Sequence, residues 1–143
     1  MRFSTKSRYA LRLMEELSHH APEEYVSLKE ISERQEISLK YLEQIVTPLV
    51  RAKLLRSGRG SQGGYCLTRT PAEYTAGDII RAIEGSLSPV ACLDDQPNLC
   101  PRCGECRTLC FWEGLAGVIN RYMDSVTLED LREQVVSSED YQI

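Results

Sequence analysis

The sequence has no run of apolar residues near the roughly 20 that a membrane helix needs, which excludes a helical span. Its first residues, Met1-Arg2-Phe3-Ser4-Thr5-Lys6, lack the apolar centre of a signal peptide, so a cytoplasmic protein with no membrane engagement is expected. Histidine is scarce. His19 and His20 are adjacent and far in sequence from the clustered cysteines, so no Ser/His/Asp or Cys/His pairing is expected and the chain does not read as an enzyme. They suit the carboxyl end of a helix, where protonated imidazole meets the helix dipole. The stretch Gly58-Arg59-Gly60-Ser61-Gln62-Gly63-Gly64 lacks the Gly-Lys-Ser/Thr of a phosphate-cradling loop. No internal repeat is present.

What is present fits one soluble globular unit: 143 residues, 42% hydrophobic and 27% charged, are enough to bury a single core. Charge is divided unevenly. The first 70 residues hold 12 Lys/Arg against 8 Asp/Glu, and the remainder 5 against 13. An acidic total therefore hides a basic amino-terminal half, the local potential that phosphate contacts require; a solvated surface of mixed sign would look the same from charge alone. Six cysteines, Cys66, Cys92, Cys100, Cys103, Cys106 and Cys110, are read in a reducing compartment as metal ligands or sensors rather than disulfides.

Apolar residues at Ala10, Leu13, Met14 and Leu17 predict a first helix over 4–20, with Ser4 and Thr5 as caps. Ser27 and Glu30 form a capping-box pattern ahead of a short helix at 28–34. Gln35-Glu36-Ile37 then makes a tight link, and Ser38 caps a third helix with Leu39, Leu42, Ile45 and Val46 facing inward. Pro48 predicts a kink or a restart. Leu54–Ser57 and Tyr65–Thr68 read as strands of a hairpin with a long glycine-rich tip. Cys66 lies in the second strand and reads as a small buried hydrophobe. A capping box at Thr75 and Asp78 opens a helix that Gly85 ends. Residues 86–109 show little apolar periodicity and four of the cysteines; a loop this long is functional or disordered. A long amphipathic helix follows, carrying Leu109, Trp112, Leu115, Ala116, Ile119, Tyr122 and Met123, then a short helix from Thr127 and a frayed tail at 137–143.

This order predicts a mainly α fold, a winged helix-turn-helix with a two-stranded wing and a long carboxyl-terminal dimerisation helix. We divide it into a DNA-binding domain at 1–85, a cysteine-rich cluster-binding loop at 86–108, the dimerisation and terminal helices at 109–136, and the tail. On the third helix Lys40, Glu43, Gln44 and Thr47 share the face opposite the apolar stripe. Lys meets phosphate or guanine, Glu accepts from the cytosine amino group, and Gln pairs with adenine; an ordinary exposed helix face has the same pattern. In the hairpin, Arg56 and Arg59 suit phosphates or a narrow minor groove.

The chain resembles the Rrf-two family of bacterial winged-helix transcription regulators, which includes iron-sulfur cluster and nitric oxide responsive members. Ser7-Arg8-Tyr9-Ala10, Ile31-Ser32-Glu33-Arg34-Gln35, Ile37-Ser38, Tyr41-Leu42-Glu43-Gln44-Ile45, Arg59-Gly60, Gly63-Gly64-Tyr65, the cysteine loop, Trp112 and Val126-Thr127-Leu128-Glu129-Asp130-Leu131 carry the resemblance. It implies a homodimer on a double-stranded DNA operator, acting as a repressor. Ser38, Lys40, Tyr41, Glu43 and Gln44 would lie at the DNA, with Arg56, Arg59 and Gly60 in the wing. The signal would be nitric oxide, oxygen, or iron and cluster availability.

Cys100, Cys103, Cys106 and Cys110 read C-x2-C-x2-C-x3-C, the spacing of a bacterial ferredoxin run, with Phe111 in place of the proline that follows the fourth cysteine. The family resemblance instead implies three ligands, Cys92, Cys100 and Cys106, for a 2Fe-2S or 4Fe-4S cluster, and leaves Cys103 and Cys110 as extra thiols or further ligands. Where some members place a fourth-ligand histidine this chain has Leu109, and where others place a carboxylate it has Arg8 and Arg12. Zinc held by four thiolates, a loop that binds nothing and answers to thiol oxidation or a partner protein, and a ferredoxin-like electron carrier are the alternatives.

Overall fold

The computed structural model describes residues 2–60 and 63–134. Six α-helices surround a two-stranded sheet: α1 (Thr5–Ser18), α2 (Leu28–Gln35), α3 (Leu39–Arg51), β1 (Leu55–Ser57), β2 (Tyr65–Leu67), α4 (Ala76–Glu84), α5 (Leu109–Ser125) and α6 (Leu128–Glu133). The expected winged helix-turn-helix is formed. The tail at 137–143 and the wing-tip residues Ser61 and Gln62 lie outside the described residues.

Four helices start in one way. The hydroxyls of Ser27, Ser38, Thr75 and Thr127 accept from the backbone N–H three residues on, at 3.2, 3.2, 3.0 and 3.0 Å. Each cap is preceded by an apolar residue and followed four positions later by another: Val26 and Ile31, Ile37 and Leu42, Tyr74 and Ile79, Val126 and Leu131. This is the spacing of a hydrophobic staple, which fixes the angle at which the chain enters a helix. The first three pairs lie in the common core with Leu13, Met14 and Leu17 of α1, Ile45 and Leu49 of α3, and Leu128.

Three local expectations are corrected. Leu39 does not face inward but is 43% exposed, because the core slot at the start of α3 is filled by Ile37, 3% exposed. Pro48 does not restart the helix: α3 runs through it, and Ala52 N–H donates to the Pro48 carbonyl at 3.0 Å. Gln44, whose carbonyl loses its helical donor to the proline, is solvent-exposed, and buried Ile45, Val46 and Leu49 hold the helix on the other side. The box at Ser27 is half-formed, since the Glu30 carboxylate turns away to Arg34 at 2.7 Å. Thr75 with Asp78, and Thr127 with Asp130, form complete boxes.

The wing is short and firmly seated. Leu55, Arg56 and Ser57 pair antiparallel with Leu67, Cys66 and Tyr65, and the ladder continues through Gly58 N–H to the Gly64 carbonyl at 2.8 Å. Tyr65 also exchanges two 2.9 Å hydrogen bonds with Val26, which pins the wing to the chain just before α2. Gly64 permits that approach: a Cβ there would lie 2.4 Å from the Val26 carbonyl oxygen. Cys66 is buried, as expected for a small hydrophobe in the sheet.

Tyr74 ties these parts together. Its buried hydroxyl donates to the Leu54 carbonyl at 2.8 Å and accepts from the N–H groups of Thr68 at 2.8 Å and Arg69 at 3.2 Å. Its own carbonyl accepts from Leu128 N–H at 3.0 Å, linking the winged part to α6. Removing the hydroxyl leaves one acceptor and two donors short of a partner in the interior. The substitution Tyr74→Phe is expected to lower unfolding free energy by about 1–3 kcal/mol, measured by urea denaturation.

Candidate DNA-reading face and cysteine loop

The recognition helix α3 is held from behind. Leu42, Ile45, Val46 and Leu49 are buried, so Lys40, Glu43, Gln44 and Thr47 stand on the exposed side. The left-handed conformation at Glu36, φ 55° and ψ 42°, turns the chain from α2 into α3. Lys40, Glu43 and Gln44 engage no side-chain partner among the described residues, which leaves their polar atoms for a ligand. The Thr47 hydroxyl is committed to the Glu43 carbonyl at 3.1 Å, and the Ser38 oxygen to its capping bond.

Tyr41 is half-buried at the edge of this face. Its ring meets that of Tyr9 edge-on, with centroids 5.3 Å apart and planes at 77°. The Arg12 guanidinium lies 5.4 Å over the Tyr9 ring, donates to Gln35 Oε1 at 3.1 Å and also bonds the Gln35 carbonyl. Arg12 thereby braces the end of α2 and, through two rings, the first turn of α3. Sequence reasoning missed this brace; its one visible sign is that Tyr9 and Arg12 are three residues apart on one helix face.

In the wing, Arg59 and Gly60 stand exposed at the tip, and Gly60 adopts φ 103° in open space. Gly63 N–H donates to the Gly60 carbonyl at 3.0 Å and closes the turn. Arg56 is set apart from them: it pairs with Cys66 in the ladder and lines a cavity under the wing rather than its tip.

Between α4 and α5 the loop carries Cys92, Cys100 and Cys103 half-buried and Cys106 exposed, and Cys110 follows, exposed, in the first turn of α5, all as free thiols. Asn98 organises its middle: its Oδ1 accepts from Cys100 N–H at 2.9 Å and its carbonyl from the Cys103 thiol at 3.9 Å. No group of three or more potential metal ligands is drawn together among the described residues. The donor set nonetheless fits a thiophilic centre, because four of these thiols share one connecting loop and Cys110 begins the helix after it; assembling a site requires that loop to close. Neither Leu109 nor the two arginines offers a fourth ligand, and Arg12 is engaged at Gln35 and Tyr9.

The carboxyl-terminal helix α5 contributes only Met123 to the interior, while Phe111, Val118 and Tyr122 are exposed. Arg81 of α4 holds it through Asp124 at 2.7 and 3.1 Å and Asn120 at 2.8 Å. Beside that seam an apolar groove of about 370 Å³ is lined by Phe3 and Leu11, by Ile80, and by Ile119, Met123 and Leu131.

Comparison with known proteins decides between a regulator and an electron carrier. Residues 3–134 match the sequence family described as Rrf2, iron-dependent transcriptional regulator. The chain belongs to the Rrf2 family. This Rrf2 chain is 44% identical over 131 residues, 92% of its length and 89% of the relative's, to the HTH-type transcriptional regulator CymR of Bacillus subtilis. The solved structure of that CymR, described as the global cysteine regulator of B. subtilis, superposes with a TM-score of 0.77 at 40% identity, covering 94% of this chain and 98% of the other. The structure of T. potens IscR gives 0.71 at 38% identity, covering 100% and 92%. The protein is therefore a DNA-binding transcription regulator and not an enzyme, and no helix of its described residues is long and apolar enough to cross a membrane.

The surroundings of one thiol in this Rrf2 loop favour its anionic form. The Thr108 hydroxyl 3.4 Å from Cys106 Sγ, with the Thr108 and Leu109 backbone and the Arg102 charge, holds the Cys106 thiol below the ordinary thiol range. A lowered value means more thiolate at neutral pH, and the thiolate is the reactive form. Brief alkylation of metal-free protein at neutral pH, mapped by peptide mass spectrometry, is expected to label Cys106 ahead of the other loop thiols. Thr108→Val should remove the lead; equal labelling of Cys106 and the similarly exposed Cys110 in the unaltered protein would contradict it.

Proposed function

We propose that this chain is a homodimeric repressor whose operator affinity is set by an iron-sulfur cluster held by Cys92, Cys100 and Cys106. The observation that carries the reading is the position of the thiols: their loop leaves α4 at Gly85 and enters α5 at Leu109. A loop that closes around a ligand therefore pulls on the winged part at one end and on the dimer helix at the other. A bound cluster supplies an iron site open to oxygen, nitric oxide or chelators. Cys103 and Cys110 are the thiols left to complete the set. Family membership supports the reading through the description "iron-dependent" and the similarity to IscR.

DNA binding is assigned to residues 1–85, with Lys40, Glu43 and Gln44 reading base edges, Ser38 and Tyr41 flanking them, and the wing residues Arg59 and Gly60 at the backbone or minor groove. Arg56 belongs to the same wing at its inner end. The exposed apolar side of α5 and the 370 Å³ groove beside it are assigned to the second copy of the chain, since a helix with one buried residue in seventeen gains its burial from a partner. Two half-sites one helical turn apart follow from such a dimer.

A second reading has its own support. The thiols stand apart among the described residues, and the similar B. subtilis protein is described as the global cysteine regulator. In that case the loop holds zinc or nothing, and control passes through thiol oxidation or a partner protein.

The test is iron, acid-labile sulfide and zinc content on anaerobically purified protein, followed by operator affinity on a duplex selected from a random library. Iron and sulfide in near-equal amounts, and an affinity that changes when the cluster is removed or when Cys92, Cys100 and Cys106 are replaced by serine, are the expected results. Arg59→Ala should weaken binding across all sequences and reduce the salt slope by about one, as a phosphate contact does, while Glu43→Ala should relax preference at one position. Equal operator affinity with and without the cluster overturns cluster control and leaves the regulator in place.

A further inference from the structure

The cavity under the wing shares only Arg56 with the DNA-reading residues described above. It encloses about 330 Å³, at the small end of the roughly 300–1,000 Å³ of ligand pockets, which suits a small metabolite and not a nucleotide. It opens between the end of α1 with the loop after it, the inner end of the wing, and the turn at Pro71–Glu73. Leu17, Pro22 and Leu67 give it apolar surface, and its walls carry both signs of charge.

Arg56 and Cys66 are directly opposed in the antiparallel ladder, so their side chains leave the same face of the wing, the one that bounds the cavity. Arg69, the other guanidinium, is occupied: it lies 5.1 Å over the Tyr74 ring and 3.8 Å from Asp78. Glu24 is likewise held, by His20 Nδ1 and Ala21 N–H, each at 3.1 Å. The Arg56 guanidinium and the Glu23 and Glu73 carboxylates have no side-chain partner among the described residues. Glu23 is also held at φ 65°, a left-handed conformation uncommon for a residue with a side chain.

Unpaired groups of opposite sign bounding one small cavity complement a molecule that carries both signs itself. A phosphate ester would meet the carboxylates, and a plain amine would leave the guanidinium unused. We propose that this cavity binds a free zwitterionic α-amino acid. Its carboxylate lies on Arg56, its ammonium on Glu23 and Glu73, and its side chain against Leu17, Pro22 and Leu67. The occupant couples to DNA through Arg56, which belongs to β1 of the wing. That coupling rests on the DNA-binding reading; the binding site itself does not.

The experiment is thermal denaturation and titration calorimetry of the full chain with each common amino acid in turn, using acetate and methylamine as the two half-molecules. At least one amino acid is expected to raise Tm saturably while neither half-molecule does. Arg56→Met and Glu73→Gln, with circular dichroism unchanged, should each weaken it about tenfold, the scale of one lost charge-assisted contact. No binding by any amino acid at millimolar concentration, or binding indifferent to both substitutions, overturns the proposal. Amino acid binding that leaves affinity for the selected operator unchanged overturns its role as an effector site, whereas a chain that selects no operator at all overturns the regulator reading instead.

Discussion

The buried hydroxyl of Tyr74 is the constraint on which the arrangement of the winged part depends. A winged reader works only if the recognition helix and the wing keep a fixed angle, because the two address neighbouring parts of one duplex. Here the segment leaving α3 and the segment leaving β2 are joined by a single phenol that accepts two N–H groups and donates to one carbonyl. Thr68 reinforces the link by donating its hydroxyl to the Lys53 carbonyl at 2.8 Å. Since Tyr74 also precedes the cap of α4 and its carbonyl receives α6, the same residue sets where the carboxyl-terminal part begins. A network of this kind confers geometry because every member is satisfied; in a low dielectric, a half-satisfied version would cost more than an apolar replacement.

Much of the fold was legible because it is written in short-range chemistry. An apolar residue, a Ser or Thr, and an apolar residue four positions later recur at Ser27, Ser38, Thr75 and Thr127, and each marks a helix start within a residue. What was misread depends on competition between neighbours. Leu39 satisfies the helical period as well as Ile37 satisfies the staple, and only one of them fills the slot. Glu30 has the right spacing for its cap and also for Arg34 one turn later, where charge wins. Pro48 breaks a helix by local rule and is tolerated because buried neighbours on both sides hold the helix in place.

The candidate site divides the same way. The outward face of α3 follows from its apolar stripe, and the thiols follow from their spacing, so both were visible in the sequence. The Arg12, Tyr9 and Tyr41 brace, and the cavity bounded by residues of α1, the following loop and the wing, were not. Their parts are separated by tens of residues, and no periodicity reports that Arg56 faces Cys66 until the strand register is known.

Communication between the cysteine loop and the DNA-reading part needs a rigid route, and one is present. Glu84, the last residue of α4, accepts from Ser4 N–H and the Ser7 hydroxyl, both at 2.7 Å, and so holds the first turn of α1 at the point where the loop departs. Those hydrogen bonds keep the Glu84 carboxyl below its ordinary range, and it stays charged and bonded at neutral pH. Two residues later Ser86 bonds Asp94 at 2.7 Å, and Ser88 bonds the Leu93 carbonyl at 3.1 Å, so the first part of the loop is already folded back on itself. Away from the loop, at the start of α4 and the end of α5, Gly77 lets the two helices lie close: a Cβ there would sit 2.3 Å from the Asp124 carboxylate. A loop anchored at its α4 end transmits a change of shape to α1 instead of absorbing it there. The size of the response is bounded by how differently the two loop states bind DNA, so control requires that closure alter the angle of α1 or α5, and not merely that the thiols be occupied.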